Sequence, residues 1–293
     1  MSTARGFQLT FDTPRSSSLN LFKHGALAYE HLFLLPLKAK GYGPNLTPNL
    51  LVEYINNGGN ILLGLSGAGS TPPAISSLLL EFDITLPTER NAVVVDHFNY
   101  DSKSAAEKHD VLLIPGPQAL RPDIEDYFSV GGTIAVPRAV GQVIGNEGPL
   151  LAPVLRAPAT AYSYNPKEEE GSLDDLFAAG TQLSLVTAFQ ARNSARMTVL
   201  GSTEAIEDTW FTAQVKDTAG KDVSTANKAF AEQLSKWTFQ EIGVLKVGRV
   251  QHSLTEGSAK TSTNLSVVES PELNPEIYRI KNEVVSDLVS VLA

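Results

Sequence analysis

The chain has 293 residues, 42% hydrophobic and 19% charged, which is enough for one large or two ordinary domains with a real core. Its formal net charge of −9 argues against a general nucleic-acid binder, which needs clustered Lys and Arg, and the lack of cysteine removes disulfides, thiolate metal sites and thiol catalysis. No run of about 18 apolar residues reads as a membrane span, and the first residues carry no apolar stretch of leader type.

In chain order, residues 7–11 alternate and predict a strand, and residues 29–35 predict a second, ended by Pro36. Thr47 then offers an N-cap hydroxyl and Pro48 suits the first helical position. Leu50, Leu51, Tyr54 and Ile55 form an apolar stripe, and Asn57-Gly58-Gly59 supplies the stop. Residues 60–65 are apolar on both faces and predict a strand covered on both sides. A helix over 73–82 and strands over 92–95, 111–114 and 133–136 follow. The last of these succeeds Gly131-Gly132 as Asn60 succeeds Gly58-Gly59. This alternation implies an α/β fold with a mostly parallel sheet.

The second half changes character. Residues 183–189 and 197–200 predict strands joined by a polar turn, and residues 167–172 a solvated charge run. Residues 227–239 predict a helix whose Phe230, Leu234 and Trp237 share a core-packing face. Late strands are expected over 243–250 and 276–280, around a flexible stretch at 255–263. Residues 157–166 carry Tyr162 and Tyr164 between two prolines, a stretch suited to a partner surface or to interdomain packing.

Three clusters could carry chemistry. Gly64-Leu65-Ser66-Gly67-Ala68 approaches a nucleophile elbow, which would make Ser66 a hydrolase nucleophile with His97, His109 or His252 as base. Pro72 and Pro73 delay the helix that an elbow needs. Gly67-Ala68-Gly69-Ser70 could cradle a sugar or phosphate through backbone N–H groups, but it lacks a P-loop lysine. Asp96, His97, Asn99 and Asp101 gather at a strand end, as a metal or acid–base cluster would. With no second cluster at ligand spacing, fixing of the local loop by hydrogen bonds is the expectation for Asp96, His97 and Asn99, and no metal or other cofactor is expected. Asn45-Leu46-Thr47 and Asn264-Leu265-Ser266 match the N-glycosylation sequon.

Longer strings are more specific. Tyr162-Ser163-Tyr164-Asn165-Pro166-Lys167-Glu168, Gly180-Thr181-Gln182-Leu183-Ser184-Leu185-Val186, Ala191-Arg192-Asn193-Ser194-Ala195-Arg196 and residues 230–241 stand out. With Val94-Val95-Asp96-His97-Phe98-Asn99-Tyr100, Gly58-Gly59-Asn60 and Asn274-Pro275-Glu276-Ile277-Tyr278-Arg279-Ile280, they make the chain resemble the 48 kDa subunit family of oligosaccharyltransferase, fungal in character, over about residues 4–282.

The resemblance implies a non-catalytic subunit on the lumenal side of the endoplasmic reticulum membrane. The complex moves a preassembled glycan from dolichyl diphosphate to Asn in Asn-x-Ser/Thr. The implied partners are its other subunits, with the lipid-linked glycan and nascent polypeptide only indirect and no nucleic acid. A glutamine-amidotransferase-like, flavodoxin-like α/β domain is implied over residues 1–240, including the helix at 227–239, and the start of a smaller β-rich region over 241–293. Catalysis belongs to another subunit, so no catalytic, cofactor or metal residue is carried over. Against the family pattern, a leader, a first strand and helix ahead of Ala4, and a C-terminal membrane helix are expected elsewhere, so the chain reads as a piece of a longer protein. In the flavodoxin-like order the absent strand would separate residues 7–11 from residues 29–35. Residues 7–11 are therefore expected to pair directly with 29–35 or to lie loose at an exposed edge.

Overall fold

The structure, a computed structural model, describes residues 5–14, 16, 19–37, 42–69, 71–89, 91–118, 127–145, 149–165 and 176–244. The chain divides into two compact units, residues 1–244 and 245–293, and the described residues belong to the first.

The described strands are β1 Phe22–Lys23, β2 Ala26–Leu27, β3 His31–Leu34, β4 Asn60–Gly64, β5 Ile84–Thr85, β6 Val93–Val95, β7 Val111–Pro115, β8 Thr133–Pro137, β9 Gln142–Ile144, β10 Leu151–Arg156, β11 Tyr162–Tyr164, β12 Leu183–Gln190, β13 Arg196–Leu200, β14 Gln214–Lys216 and β15 Asp222–Ser224. The α-helices are α1 Pro48–Asn56, α2 Pro73–Leu80, α3 Asp208–Phe211 and α4 Asn227–Thr238.

The central strand is β4, buried at all five positions. It pairs in parallel with β3 on one edge and β13 on the other. Its side chains alternate between two cores, as a strand period of two requires. Ile61 and Leu63 enter the core built with Leu51, Tyr54 and Ile55 of α1 and Ile75, Leu78 and Leu79 of α2. Leu62 enters the opposite core with Phe230 and Leu234 of α4. The expectation of a strand covered on both faces is met, and the aromatic stripe of α4 packs inward, with Trp237 buried as well.

Helix α1 forms for the reasons its sequence suggests. Thr47 accepts from the Leu50 N–H at 3.3 Å, and Pro48 opens the first turn. Asn57 closes the helix, and its side chain donates to the Glu53 carbonyl at 2.8 Å. Gly58 follows at φ +92, a conformation that favours glycine, while a Cβ on Gly59 would lie 2.2 Å from the Tyr54 ring. Tyr54 is fully buried, and its hydroxyl donates to the Tyr29 carbonyl at 2.9 Å, fixing α1 beside β3.

The sheet around β4 is mixed. Beyond the two parallel pairings, β13 returns from β12 as an antiparallel hairpin, and β12 also pairs antiparallel with β9 and β10. Ser184 pairs with Gln142 of β9 and with Arg156 of β10, so those two strands lie on opposite edges of β12. Strands β6 and β7, predicted from short aliphatic runs, pair antiparallel with β11 and β8 respectively. An apolar run reports burial and leaves the direction of its neighbours open.

Residues 7–11 do not form a strand. They lie as irregular chain, with Phe11 90% and Leu9 47% exposed. Among the described residues β3 pairs only with β4. Alternation alone therefore failed to make a strand where no ladder partner satisfied the backbone. The segment is held at its start instead. Phe7 packs edge-on against His31 and Phe239, and Arg5 pairs with Glu241. The charge run at 167–172 and the late strand at 276–280 lie outside the described residues, as does all but Gly243 and Val244 of the strand expected at 243–250.

Candidate functional site

The carboxylate cluster sits where β6 ends. Asp96 is fully buried, and its oxygens accept from the Phe98 N–H at 2.8 Å, the Asn99 N–H at 3.3 Å and the Asn99 side-chain amide at 3.0 Å. The Thr160 hydroxyl, reaching in from the segment before β11, donates to the same carboxylate at 2.8 Å. Asp101 does comparable work one turn later. It accepts from the N–H groups of Lys103 at 3.2 Å, Ser104 at 3.1 Å and Lys216 at 2.7 Å, and from the Ser104 hydroxyl. Burial alone would raise the Asp101 carboxyl. The hydrogen bonds from Lys216, Ser104 and Lys103 outweigh it and hold the group below its ordinary value. Both carboxylates are thus committed to backbone and side-chain donors. Among the described residues, no group of three or more His, Asp or Glu side chains is placed to share a metal ion.

His97 stands apart from this carboxylate network. Its Nε2 lies 2.8 Å from the Tyr162 hydroxyl and its Nδ1 contacts Nδ1 of His109. The sequence grouped His97 with Asp96 because they are neighbours. The structure sends their side chains to different partners, the first into a surface chain of rings and the second inward. Thr160 carried no sequence signal, and Tyr162, singled out with Tyr164, gave none that pointed to His97, because each lies more than 60 positions from its partner.

Ser66 lines a cleft of about 170 Å³ at the end of β4, together with Pro36, Tyr42, Ala68, Gly69 and Pro72. Among the described residues no histidine or carboxylate lines that cleft, and the Ser66 hydroxyl accepts locally from the Ala68 N–H at 3.2 Å. His97 and His109 belong to the ring chain on the rim, and His252 lies outside the described residues. The loop is shaped by close approach. A Cβ on Gly67 would lie 2.4 Å from the Arg138 carbonyl oxygen. The phosphate-cradle expectation meets a chemical obstacle here. Helix α2 opens with Pro72 as its cap and Pro73 as its first residue, so two N–H groups that an anion would need are missing. Ser70 lies outside the described residues.

A third arrangement closes the far end of β4. Asn60 accepts at its Oδ1 from the Arg196 N–H at 2.8 Å and from the Gln240 amide at 3.0 Å, and its own amide donates to His31 Nδ1 at 3.1 Å. Burial pulls His31 below its ordinary value, with Glu30 and Glu241 opposing, which suits an imidazole nitrogen used as an acceptor. Asn193 donates to the Ile55 and Asn56 carbonyls at 2.8 and 3.0 Å, satisfying the last turn of α1. Arg196, almost fully buried, does the same for α4. It donates to the Trp237 and Ile242 carbonyls, each at 2.7 Å, and to the Gly243 carbonyl, with its guanidinium 4.7 Å from the Trp237 ring. A cation at a helix C-terminus meets the negative end of the dipole. The turn that carries these residues needs Ser194 at φ +69, and Gln240 donates to the Ser194 carbonyl at 2.7 Å.

The family model described as OST48, N-terminal domain, matches residues 2–241. The chain belongs to the OST48 N-terminal domain family. Its curated relatives include the dolichyl-diphosphooligosaccharide–protein glycosyltransferase 48 kDa subunit of Caenorhabditis elegans, 30% identical over 95% of this chain and 62% of the relative. The Danio rerio protein of the same name is 33% identical over 89% of this chain and 59% of its own length. The Schizosaccharomyces pombe subunit wbp1 is 33% identical over 97% of this chain and 59% of its own. The chain thus spans about three-fifths of the length of these relatives. A solved structure named mmIFT52 N-terminal domain aligns at TM-score 0.43 and 16% identity, over 68% of this chain and 72% of that one, a likeness too distant to bear on the fold.

Three of the strings that carry the resemblance form this arrangement at the far end of β4, a clasp. Gly58-Gly59-Asn60, the turn at 191–196 and the chain leaving α4 meet at one corner, and Val94 and Val95 pair with Ser163 and Tyr162 along β6 and β11. Tyr162 and Tyr164 therefore sit on a strand inside the first unit. The sequon at 45–47 also has structural work. The Asn45 amide donates to the Ser16 carbonyl at 3.3 Å while Thr47 caps α1. The sequon at 264–266 lies outside the described residues.

Proposed function

We propose that this chain is the lumenal scaffold portion of a non-catalytic oligosaccharyltransferase subunit. In this reading it supports transfer of a dolichyl-diphosphate-linked glycan to Asn in Asn-x-Ser/Thr at the endoplasmic reticulum membrane, and its partners are the other subunits of the complex. The observation that carries the reading is the family match over residues 2–241. Support comes from the use of its most distinctive residues. Asn60, Asn193, Arg196 and Gln240 satisfy strand and helix ends, while Ser66 faces a cleft that no acid or base among the described residues lines. We also propose an amidotransferase-like arrangement for the α/β domain, with a β-rich region following from residue 241. The parallel trio β3–β4–β13 with helices on both faces supports it. No described helix is long and apolar enough to cross a membrane.

The test is replacement of the full-length protein in cells. Depletion is expected to lower sequon occupancy on a reporter glycoprotein, and a Ser66→Ala version is expected to restore it fully. Unchanged occupancy after depletion would overturn the scaffold reading, and failure of Ser66→Ala would return the serine to consideration as a catalytic group.

A further inference from the structure

Five rings run across the rim formed by the ends of β6, β7 and β11. Tyr100 stacks on His109 with centroids 4.0 Å apart, His109 meets His97 at 4.7 Å, His97 meets Tyr162 at 5.8 Å, and Tyr162 meets Tyr164 at 6.4 Å. Three of them are joined by hydrogen bonds whose direction can be derived. The Ala106 carbonyl can only accept, and His109 Nε2 lies 3.1 Å from it, so that nitrogen carries the hydrogen. In a neutral imidazole the other nitrogen, Nδ1, is then bare. His97 Nδ1 contacts it and must donate. That leaves His97 Nε2 bare, and the Tyr162 hydroxyl, 2.8 Å away, donates to it. One backbone carbonyl thus sets two tautomers and one hydroxyl rotor.

We propose that Tyr162, His97 and His109 form a proton-responsive contact whose outer end, the Tyr162 oxygen, changes from hydrogen-bond acceptor to hydrogen-bond donor when the pair of imidazoles gains one proton. In the neutral chain the only hydrogen on the Tyr162 oxygen points inward, so its outward lone pairs receive a donor such as a hydroxyl, amide N–H or ammonium group. A proton added at His97 Nε2 makes that ring donate at both ends, to His109 and to Tyr162. The phenolic hydrogen is then displaced outward, toward a carbonyl or carboxylate. No heavy atom has to move. A second proton, on His109 Nδ1, would set two N–H groups face to face and part the rings.

The surroundings suit this single-proton exchange. Burial, and then Tyr164, raise the Tyr162 hydroxyl above its ordinary value, so it keeps its proton. The Asp96 carboxylate beside His97 is turned inward onto Thr160, Asn99 and Phe98. Tyr100 covers His109, Tyr164 stands beyond Tyr162, and Glu107, Lys108 and Asp110 flank His109 in sequence.

Nitrogen NMR of the imidazoles on the full chain reads these states directly. The expected result at neutral pH is hydrogen on Nδ1 of His97 and on Nε2 of His109. On acidification the His97 Nε2 signal shifts to the N–H position before any change at His109 Nδ1. The opposite tautomer in either ring, or protonation of His109 first or of both together, overturns the proposal. Tyr162→Phe keeps the ring and removes the donor. It should move the neutral-pH His97 Nε2 signal and leave His109 in place, and an unmoved His97 signal would remove Tyr162 from the relay.

Discussion

The clasp around Asn60 and the rim around His97 are both built from polar side chains at strand ends, yet one is closed and the other opens to solvent. In the clasp, Asn60 and Arg196 are nearly sealed from water; the Asn60 amide and the two terminal nitrogens of Arg196 meet carbonyls, amides and one imidazole, and only the Arg196 Nε has no partner among the described residues. On the rim, His97 is exposed, as are Phe98 and Tyr164. Buried polar groups cost most when a partner is lost, because no water replaces it. The clasp therefore governs stability, while the rim is free to present chemistry outward at small cost to the fold.

The largest effect is expected at Arg196. Arg196→Leu leaves the carbonyls of Trp237, in the last turn of α4, and of Ile242 and Gly243 just beyond it without this donor, and unfolding free energy should fall by about 3 kcal/mol or more. Urea denaturation measures it, and a loss as small as that of a surface substitution would break the contrast. Asn193→Ala removes the amide that serves the last turn of α1 and should cost about 1–2 kcal/mol in the same experiment.

His31 gives the clasp a pH signature. Its folded value lies below the ordinary 6.5, chiefly through burial. As pH drops through 6.5, the unfolded chain takes a proton that the folded ring resists, so stability present at neutral pH declines until the lowered folded value is passed. His31→Gln should flatten this portion of the stability–pH curve. The Asp101 anchor behaves separately. Its carboxylate contributes fully above its ordinary value of 3.8, and that contribution is lost as pH falls through the lowered folded value. The smallest effect belongs to Ser66. Ser66→Ala should change stability by no more than about 0.5 kcal/mol, and a fluorophosphonate probe should leave the unaltered chain unlabelled.

Local elements were readable where capping and burial agreed. Thr47, Pro48 and Gly58 bracket α1 as their chemistry dictates, and β4 is buried along its whole length. Residues 7–11 were misread because alternation reports a face and says nothing about a ladder partner. Amide exchange should separate the two segments, with residues 60–64 among the slowest and residues 7–11 among the fastest. Strands β9, β10 and β11 were not predicted, since short or proline-interrupted runs carry weak periodicity. The clasp was legible only as strings of resemblance. Asn60 and Gln240 are 180 positions apart, and nothing in either residue announces the other.

The scaffold reading is tested most directly by tagging the full-length protein, extracting it from native membranes in mild detergent and assaying the purified material for glycan transfer to an Asn-x-Ser/Thr peptide. The account predicts recovery of a multi-subunit complex with that transfer activity, retained when Ser66 is replaced by alanine. Recovery of a lone monomer without transfer activity would contradict it.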